Sequence, residues 1–383
     1  MPDAEIFLDL DKTLANDGPL AMLDRLAAQL QEAHKYHEWF EARKLRLRHS
    51  LGLPLLPVQA DEHVPEATRT KLDEGLIEAC REVGTWLLRA GRVRESWHYL
   101  RAVGDREFVR NELAELTPTA ENLDEFLELW LHEGLDYERG FAALLEQYGT
   151  CNSITTYDSV MYGKPRADRA IGARLLVRHL HAELIGNLRA HLERTGGFVP
   201  AEFHVSSLIA EHDWLFADHT YHIDTTHLAS VVRFARDVDD VESQQLASEL
   251  AEYGMHLDAT LQYPGDPPFD DLYPASLRYF RALLGEEVEE TLEYFRERAE
   301  QANPREDTTI AIEVYVDLLA RLGQARLAID ECLRLIPAGI PLTGRAPSLY
   351  ELAASCGDFC PLTELSRIRG DLIGYALSKL SSS

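Results

Sequence analysis

Apolar residues recur at three- and four-residue spacings along most of the chain, and glycines interrupt them at intervals. The segments LLRAGRVRESWHYL, RALLGEEVEETLEYF, LARLGQARLAIDECL and AASCGDFCPLTEL each place a glycine between two such stretches. This pattern predicts pairs of amphipathic helices that turn on the glycine. Gly285, Gly323 and Gly357 fall 38 and 34 residues apart, within the period of two-helix repeat units. The expected fold class is therefore all-α, a right-handed superhelix of stacked helical hairpins (an α-solenoid) with essentially no β-sheet.

Such an array need not divide, because each repeat packs on its neighbours, so residues 1–383 are expected to form one elongated helical-repeat domain. Residues 1–148 read as N-terminal hairpins. Within them, KLDEGLIEACREVGTWLLRAG has small residues, Gly84, Gly91 and Ser96, where two helices would touch and turn. A proline-rich connector, LPLLPVQADEHVP, precedes it. Residues 149–275 look loop-rich, with turn-forming residues in GTCNSITTYD, RTGGFVP, FADHTYHIDTT and QYPGDPPFDDLYP. Hairpins resume over 276–383.

In VYVDLLARLGQARLAIDECL the matching positions of the helical pair are Val316, Gly323 and Ala328. A small residue in the first helix, a turn glycine and a small residue in the second resemble the tetratricopeptide-repeat group, with valine in place of the first small residue. The resemblance covers about half the chain and implies a TPR-like superhelix. It is also similar to bacterial proteins of that build, which implies a fold and no activity.

Composition narrows the partners. With 65 acidic against 38 basic residues the formal charge is −27, so a nucleic-acid backbone would be repelled over most of the surface and a basic protein partner would be favoured. Five scattered cysteines are poor material for a disulfide framework and fit a reducing compartment. The acidic N-terminus lacks the features of a signal peptide, and no segment has the roughly 20 apolar residues of a membrane span. A soluble, cytoplasmic protein without membrane contact is the expectation.

Residues 203–228, FHVSSLIAEHDWLFADHTYHIDTTHL, hold five of the fifteen histidines. Asp224 stands just before the amphipathic helix TTHLASVVRFAR, His227 falls on its third residue, and His222 lies in the lead-in. These three groups could meet at one helix start, and imidazole with carboxylate suits zinc, iron or manganese. The competing explanation is structural: aspartate is a preferred helix N-cap, and a histidine on an apolar face is commonly a satisfied core residue. His181 shares a helical stripe with Val177, Leu184, Ile185 and Leu188, faces inward, and is a candidate fourth ligand.

A second polar cluster contains Cys151, Asn152, Ser153 and Asp158, with Cys151 a candidate nucleophile. The loop with Tyr263, Asp266 and Asp270 could wall a pocket and supply Asp266 as ligand or base. FLDLDKTLAND has the DxDxT signature that resembles haloacid-dehalogenase-type phosphotransferases, which would make Asp9 the nucleophile and Asp11 the acid/base. That family needs its motifs at the ends of parallel strands, and the pattern here is helical.

Two functions follow as expectations. In one, a divalent metal on His222, Asp224, His227 and His181 serves an enzyme or binding protein for a polar small molecule or peptide. Cys151, Asp158 and Asp266 would act there as catalytic groups and Asn152, Ser153 and Tyr263 as ligand contacts; metal-assisted hydrolysis and iron-dependent oxygenation are the candidate reactions. In the other, the chain is a non-catalytic interaction scaffold. Concentration of polar residues between 151 and 270, rather than along a whole groove, favours the first.

Overall fold

The computed structural model describes residues 4–56, 64–195, 204–210, 212–305, 308–337 and 339–382. Part of LPLLPVQADEHVP and most of RTGGFVP lie outside the described residues. The described chain is all-α and contains no strand. None of its helices is long and apolar enough to cross a membrane. Two compact units are present, Met1–Asp136 and Tyr137–Ser383, so 149–275 shares a unit with 276–383.

The first unit contains α1 (Ala4–Asp17), α2 (Pro19–Glu32), α3 (Tyr36–Ser50), α4 (Glu66–Arg89), α5 (Val93–Val103), α6 (Arg106–Ala114) and α7 (Leu123–Leu127), the last running into a π-helical turn, Glu128–His132. Its core gathers Ala27, Trp39, Ala42, Ala79, Val83 and Leu87, with Trp39 and Trp86 edge to face at 4.7 Å. Gly84 lets α5 approach α4: a Cβ there would lie 2.5 Å from Leu100 Cγ. Gly91 makes the turn with φ +76°, and buried Ser96 donates to the Val93 carbonyl at 2.6 Å. The small residues sit where touching and turning require them. Asp9 and Asp11 both lie on α1, and Asp9 accepts hydrogen bonds from Arg25 and Gln29. They are helical, away from any strand end, which removes the geometric basis of the phosphotransferase resemblance among the described residues.

The second unit contains α8 (Tyr137–Val160), α9 (Arg166–Arg194), α10 (Val205–Ile209), α11 (Thr225–Phe234), α12 (Val241–His256), α13 (Leu272–Leu283), α14 (Val288–Gln301), α15 (Ile310–Arg321), α16 (Ala325–Leu335), α17 (Leu349–Cys356), α18 (Cys360–Arg369) and α19 (Leu372–Ser381). Gly285, Gly323 and Gly357 separate α13 from α14, α15 from α16 and α17 from α18, at φ +87°, +77° and +69°. Val316 and Ala328 are fully buried. Where α12 meets α13, a Cβ on Gly254 would stand 2.3 Å from the Tyr273 ring, so the close crossing depends on glycine.

One expected connector is helical. α8 breaks at Gly149 (φ +77°) and resumes through Val160, so CNSITTYD forms helix rather than loop. By contrast, FADHTYHIDTT combines a 3₁₀ segment, Asp213–His219, with a non-helical lead-in to α11, and Asp218 and His219 both have positive φ. The QYPGDPPFDD segment is irregular throughout.

Candidate functional site

The residues proposed as metal ligands have other partners. Asp224 is the N-cap of α11: one carboxylate oxygen accepts from the Thr226 and His227 amides at 2.8 and 3.1 Å and from the Thr226 hydroxyl at 2.5 Å. The Thr226 hydroxyl bond, aided by those amides, holds its carboxyl below the usual range. His222 is wedged between Tyr253 and His191, its Nδ1 3.0 Å from the tyrosine hydroxyl and its Nε2 2.9 Å from His191 Nδ1. The His222 amide also donates to the Tyr253 oxygen at 2.8 Å. The Tyr253 proton can then point to Nδ1 and the Nε2 proton to His191, a closed chain of neutral groups. Burial first, and the neighbouring His191 and Arg194 after it, push the His222 pKa down to about 4.

His181 does face inward, beside buried Val177, Leu184, Ile185 and Leu188. Its Nε2 lies 2.8 Å from Glu249 on α12, whose other oxygen meets His204 Nδ1 at 2.7 Å. Burial alone would raise the Glu249 pKa; His181, His204 and the Val205 amide more than offset it, and the group titrates below its ordinary value. Among the described residues no group of three or more His, Cys, Asp and Glu side chains is arranged to hold a metal ion. The distribution has a local cause: α9 positions His181 and His191 ten residues apart, so each joins a different neighbour, one on α12 and the other in the lead-in to α11.

The 151–158 cluster does not join the histidines. Asn152 and Ser153 donate to the carbonyls of Tyr148 and Gly149, each at 2.9 Å, while Cys151 and Asp158 are exposed on α8. Tyr263 and Asp266 are exposed as well. The loop that carries Asp266 closes tightly, with Gly265 N donating to Asp270 O at 3.0 Å and Phe269 N to Asp266 O at 2.8 Å. Its Phe269 is buried and supplies a ring to a different cluster.

That cluster was not anticipated. Arg169, near the start of α9, makes a two-point contact with Asp237 at 2.8 and 2.7 Å. The Tyr157 hydroxyl donates to the Arg169 carbonyl at 3.1 Å. On the other side, the Tyr279 hydroxyl donates to Asp317 at 3.1 Å and accepts from Arg321 at 3.1 Å. Arg321 also donates to the carbonyls of Arg236 and Val238, which follow α11. Burial raises the pKa of Asp317, and likewise those of the Tyr157 and Tyr279 phenols.

The polar groups here are incompletely matched. Asp317 Oδ1 and Arg166 Nη1 are 3.8 Å apart, too far for a hydrogen bond, and neither atom has a hydrogen-bond partner among the described residues. The same holds for Arg236 Nε. One turn away on α15, Glu313 shows the opposite condition. Fully buried, it accepts from the Thr309 hydroxyl, the Thr343 amide and hydroxyl, and the Arg345 amide at 2.5, 2.7, 3.0 and 2.9 Å. Glu313 thus holds the segment around Arg345 against α15.

The sequence did carry one signal for this cluster. Glu313, Asp317 and Arg321 are the charged residues of IAIEVYVDLLAR and lie four apart, on one stripe of an otherwise apolar helix. Comparison of the chain with protein-family models, with curated proteins and with solved structures finds no match.

Proposed function

We propose that this chain is a helical-repeat protein of tetratricopeptide-like build whose 137–383 unit binds a polar small molecule at the Arg166–Tyr279–Asp317 cluster. In this reading the glycine-turned pairs of 272–369 form part of a right-handed superhelix, and the cluster gives it a ligand site. The observation that carries the proposal is the set of buried, unmatched donors and acceptor: Arg166 Nη1, Arg236 Nε and Asp317 Oδ1. Buried polar groups are nearly always paired, and each unpaired one costs about 1–3 kcal/mol. A ligand with both donor and acceptor atoms would recover that energy. The 3.8 Å gap between Arg166 and Asp317 is suited to a bridging polar atom.

The histidines support binding architecture more than metal chemistry. A divalent metal on His222, Asp224, His227 and His181 would require His222 to release Tyr253 or His191 and His181 to release Glu249.

Native mass spectrometry and thermal-shift titration test the binding proposal. A co-purifying small molecule, or a rise in Tm with a polar ligand, should disappear in Asp317→Asn and Arg166→Ala. Retention in both variants would dismiss the site. Elemental analysis tests the competing proposal: near-stoichiometric zinc, iron or manganese, lost in a His222→Ala/His227→Ala variant, would restore the metal-dependent reading.

A further inference from the structure

We infer that the chain associates head to tail with a second copy of itself, the apolar stripe of α19 in one copy seating on the exposed apolar face of α1 in the next. The observation behind this is a helix whose apolar side is turned outward. α19 meets its neighbours through small residues: Gly374 and Ser378 are buried, and the Ser378 hydroxyl donates to the Gly374 carbonyl at 2.7 Å. A Cβ on Gly374 would lie 2.7 Å from the Tyr350 hydroxyl and 2.8 Å from Ser366 Oγ, so the crossing with α17 and α18 excludes a larger side chain. The large apolar residues stand on the other side. Leu372 and Ile373 are each 82% exposed and Leu377 49%, while Ile368, in the last turn of α18, is 75% exposed. With 3.6 residues per turn, Leu372, Ala376, Ile373 and Leu377 fall within one arc of about 140°, a continuous stripe.

A helix of this pattern ordinarily buries such a stripe. The uncovered apolar area is on the order of 500 Å², at the upper end of what a monomer leaves exposed. The surroundings of the stripe are basic, with Arg367, Arg369 and Lys379 against Asp371 alone over 366–383, in a chain whose formal charge is −27. Lys379 is exposed and follows Leu372 by two helical turns, which sets it along the same side of α19.

α1 offers the complement. Asp9 ties it to α2 through Arg25 and Gln29, while Phe7 and Leu8 are more than half exposed and Ile6 and Leu14 are exposed beside them. The helix carries Glu5, Asp9, Asp11 and Asp17 against Lys12. Asp11 is exposed and lies one turn from both Phe7 and Leu14, so a carboxylate stands within this apolar face as Lys379 stands beside the other. Two copies of so acidic a chain repel, and a lasting contact must offset that by burying apolar area and by setting local cations against local carboxylates. Pairing α19 with α19, or α1 with α1, would oppose like charges; pairing α19 with α1 joins unlike ones. With their charged rims the two faces approach the roughly 1,200 Å² at the lower end of specific interfaces, which sets the expected dissociation constant in the micromolar range. A contact between unlike faces leaves one of each open, so it extends into chains or closes into rings.

Sedimentation velocity of the full chain over about 1–100 μM, a range that brackets the expected affinity, tests the inference. The average mass should rise with concentration past that of a dimer. Leu372→Gln/Ile373→Gln changes exposed side chains only, and it should weaken association by about tenfold or more, as should Phe7→Gln/Leu14→Gln, both with wild-type circular dichroism. Mixed in equal amounts, the two variants should form a dimer and nothing larger, because each keeps the face that the other has lost. Asp11→Lys, an exposed change that leaves the packing of α1 alone, should weaken association severalfold and keeps the test valid if Phe7→Gln/Leu14→Gln loosens the helix. A wild-type chain that stays monomeric across the range overturns the inference, and so does a mixture that stays monomeric. Association that the α19 variant abolishes and both α1 variants leave intact would mark a two-fold α19 pair and overturn it as well. So would a monomer that floats with phosphatidylserine-containing vesicles through Leu372 and Ile373, which would assign the stripe to an anionic membrane surface.

Discussion

Two buried polar clusters of the 137–383 unit make opposite use of similar chemistry. His222 and Glu249 each find partners within the chain: Tyr253 and His191 complete the bonds of one, and His181, His204 and the Val205 amide those of the other. Around Tyr279, paired groups such as Arg169–Asp237 stand beside atoms that lack partners. A density of histidines and aspartates in sequence therefore marks a stretch rich in hydrogen-bonding groups, and what separates architecture from a binding site is whether those groups are left over once the fold has formed.

The sharpest way to break this comparison is to change a closed pair and an open group in the same cluster. Arg169→Met strands Asp237 and should cost about 3–5 kcal/mol in denaturant unfolding. Arg236→Met removes a buried cation with no ion pair and should stay within about 1 kcal/mol of wild type, or gain stability. Equal losses for both would erase the distinction.

On the histidine side, Glu249→Gln leaves His181 and His204 with a weaker acceptor, and a loss of about 2 kcal/mol is expected in the same assay. The pH dependence is more specific. His222 has a folded pKa of about 4, below the ordinary 6.5, so as pH falls the unfolded chain takes up the proton first. Its contribution is complete above about pH 6.5 and is lost as pH falls toward 4, on the order of 2 kcal/mol in all. His222→Gln should flatten that part of the stability profile, and an unchanged slope would show that another group titrates there. On the histidine side the smallest loss is expected for Asp224→Ala, about 1 kcal/mol, the ordinary value of an N-cap. A larger loss, or one that depends on added metal, would indicate a role beyond capping.

The hairpins were legible because their determinants are local. A turn that needs positive φ selects glycine, as at Gly91 and Gly323, and a close helix crossing excludes large side chains, as at Gly84. The 150–160 segment was misread because Asn, Ser and Thr commonly signal loops. Here Asn152, Ser153 and Thr155 bond back to carbonyls four residues earlier, which a helix allows. Asp224 as a cap and His181 as an inward residue were both readable from position. The partners of His222 were not, since Tyr253 and His191 lie 31 residues away on either side.

The cluster around Tyr279 was hidden for a different reason. A charged stripe at four-residue spacing ordinarily marks the wet face of a helix. On α15 the apolar residues Ile312, Val316, Leu318 and Leu319 are fully buried, and the stripe of Glu313 and Asp317 is buried too. Both faces are interior. The pattern gives the periodicity of such a helix correctly, and only the surrounding elements decide that the charged side meets polar groups instead of solvent.

Arg321 adds a consequence for how the molecule opens. Through one guanidinium it joins the last turn of α15 to two carbonyls beyond α11 and to the Tyr279 hydroxyl on α13. Segments more than 80 residues apart in sequence therefore share one fastening. Hydrogen exchange across 235–238 and 310–321 should follow a common sub-global opening, and the cluster should dissolve as a single foldon, without the residue-by-residue fraying typical of a surface turn.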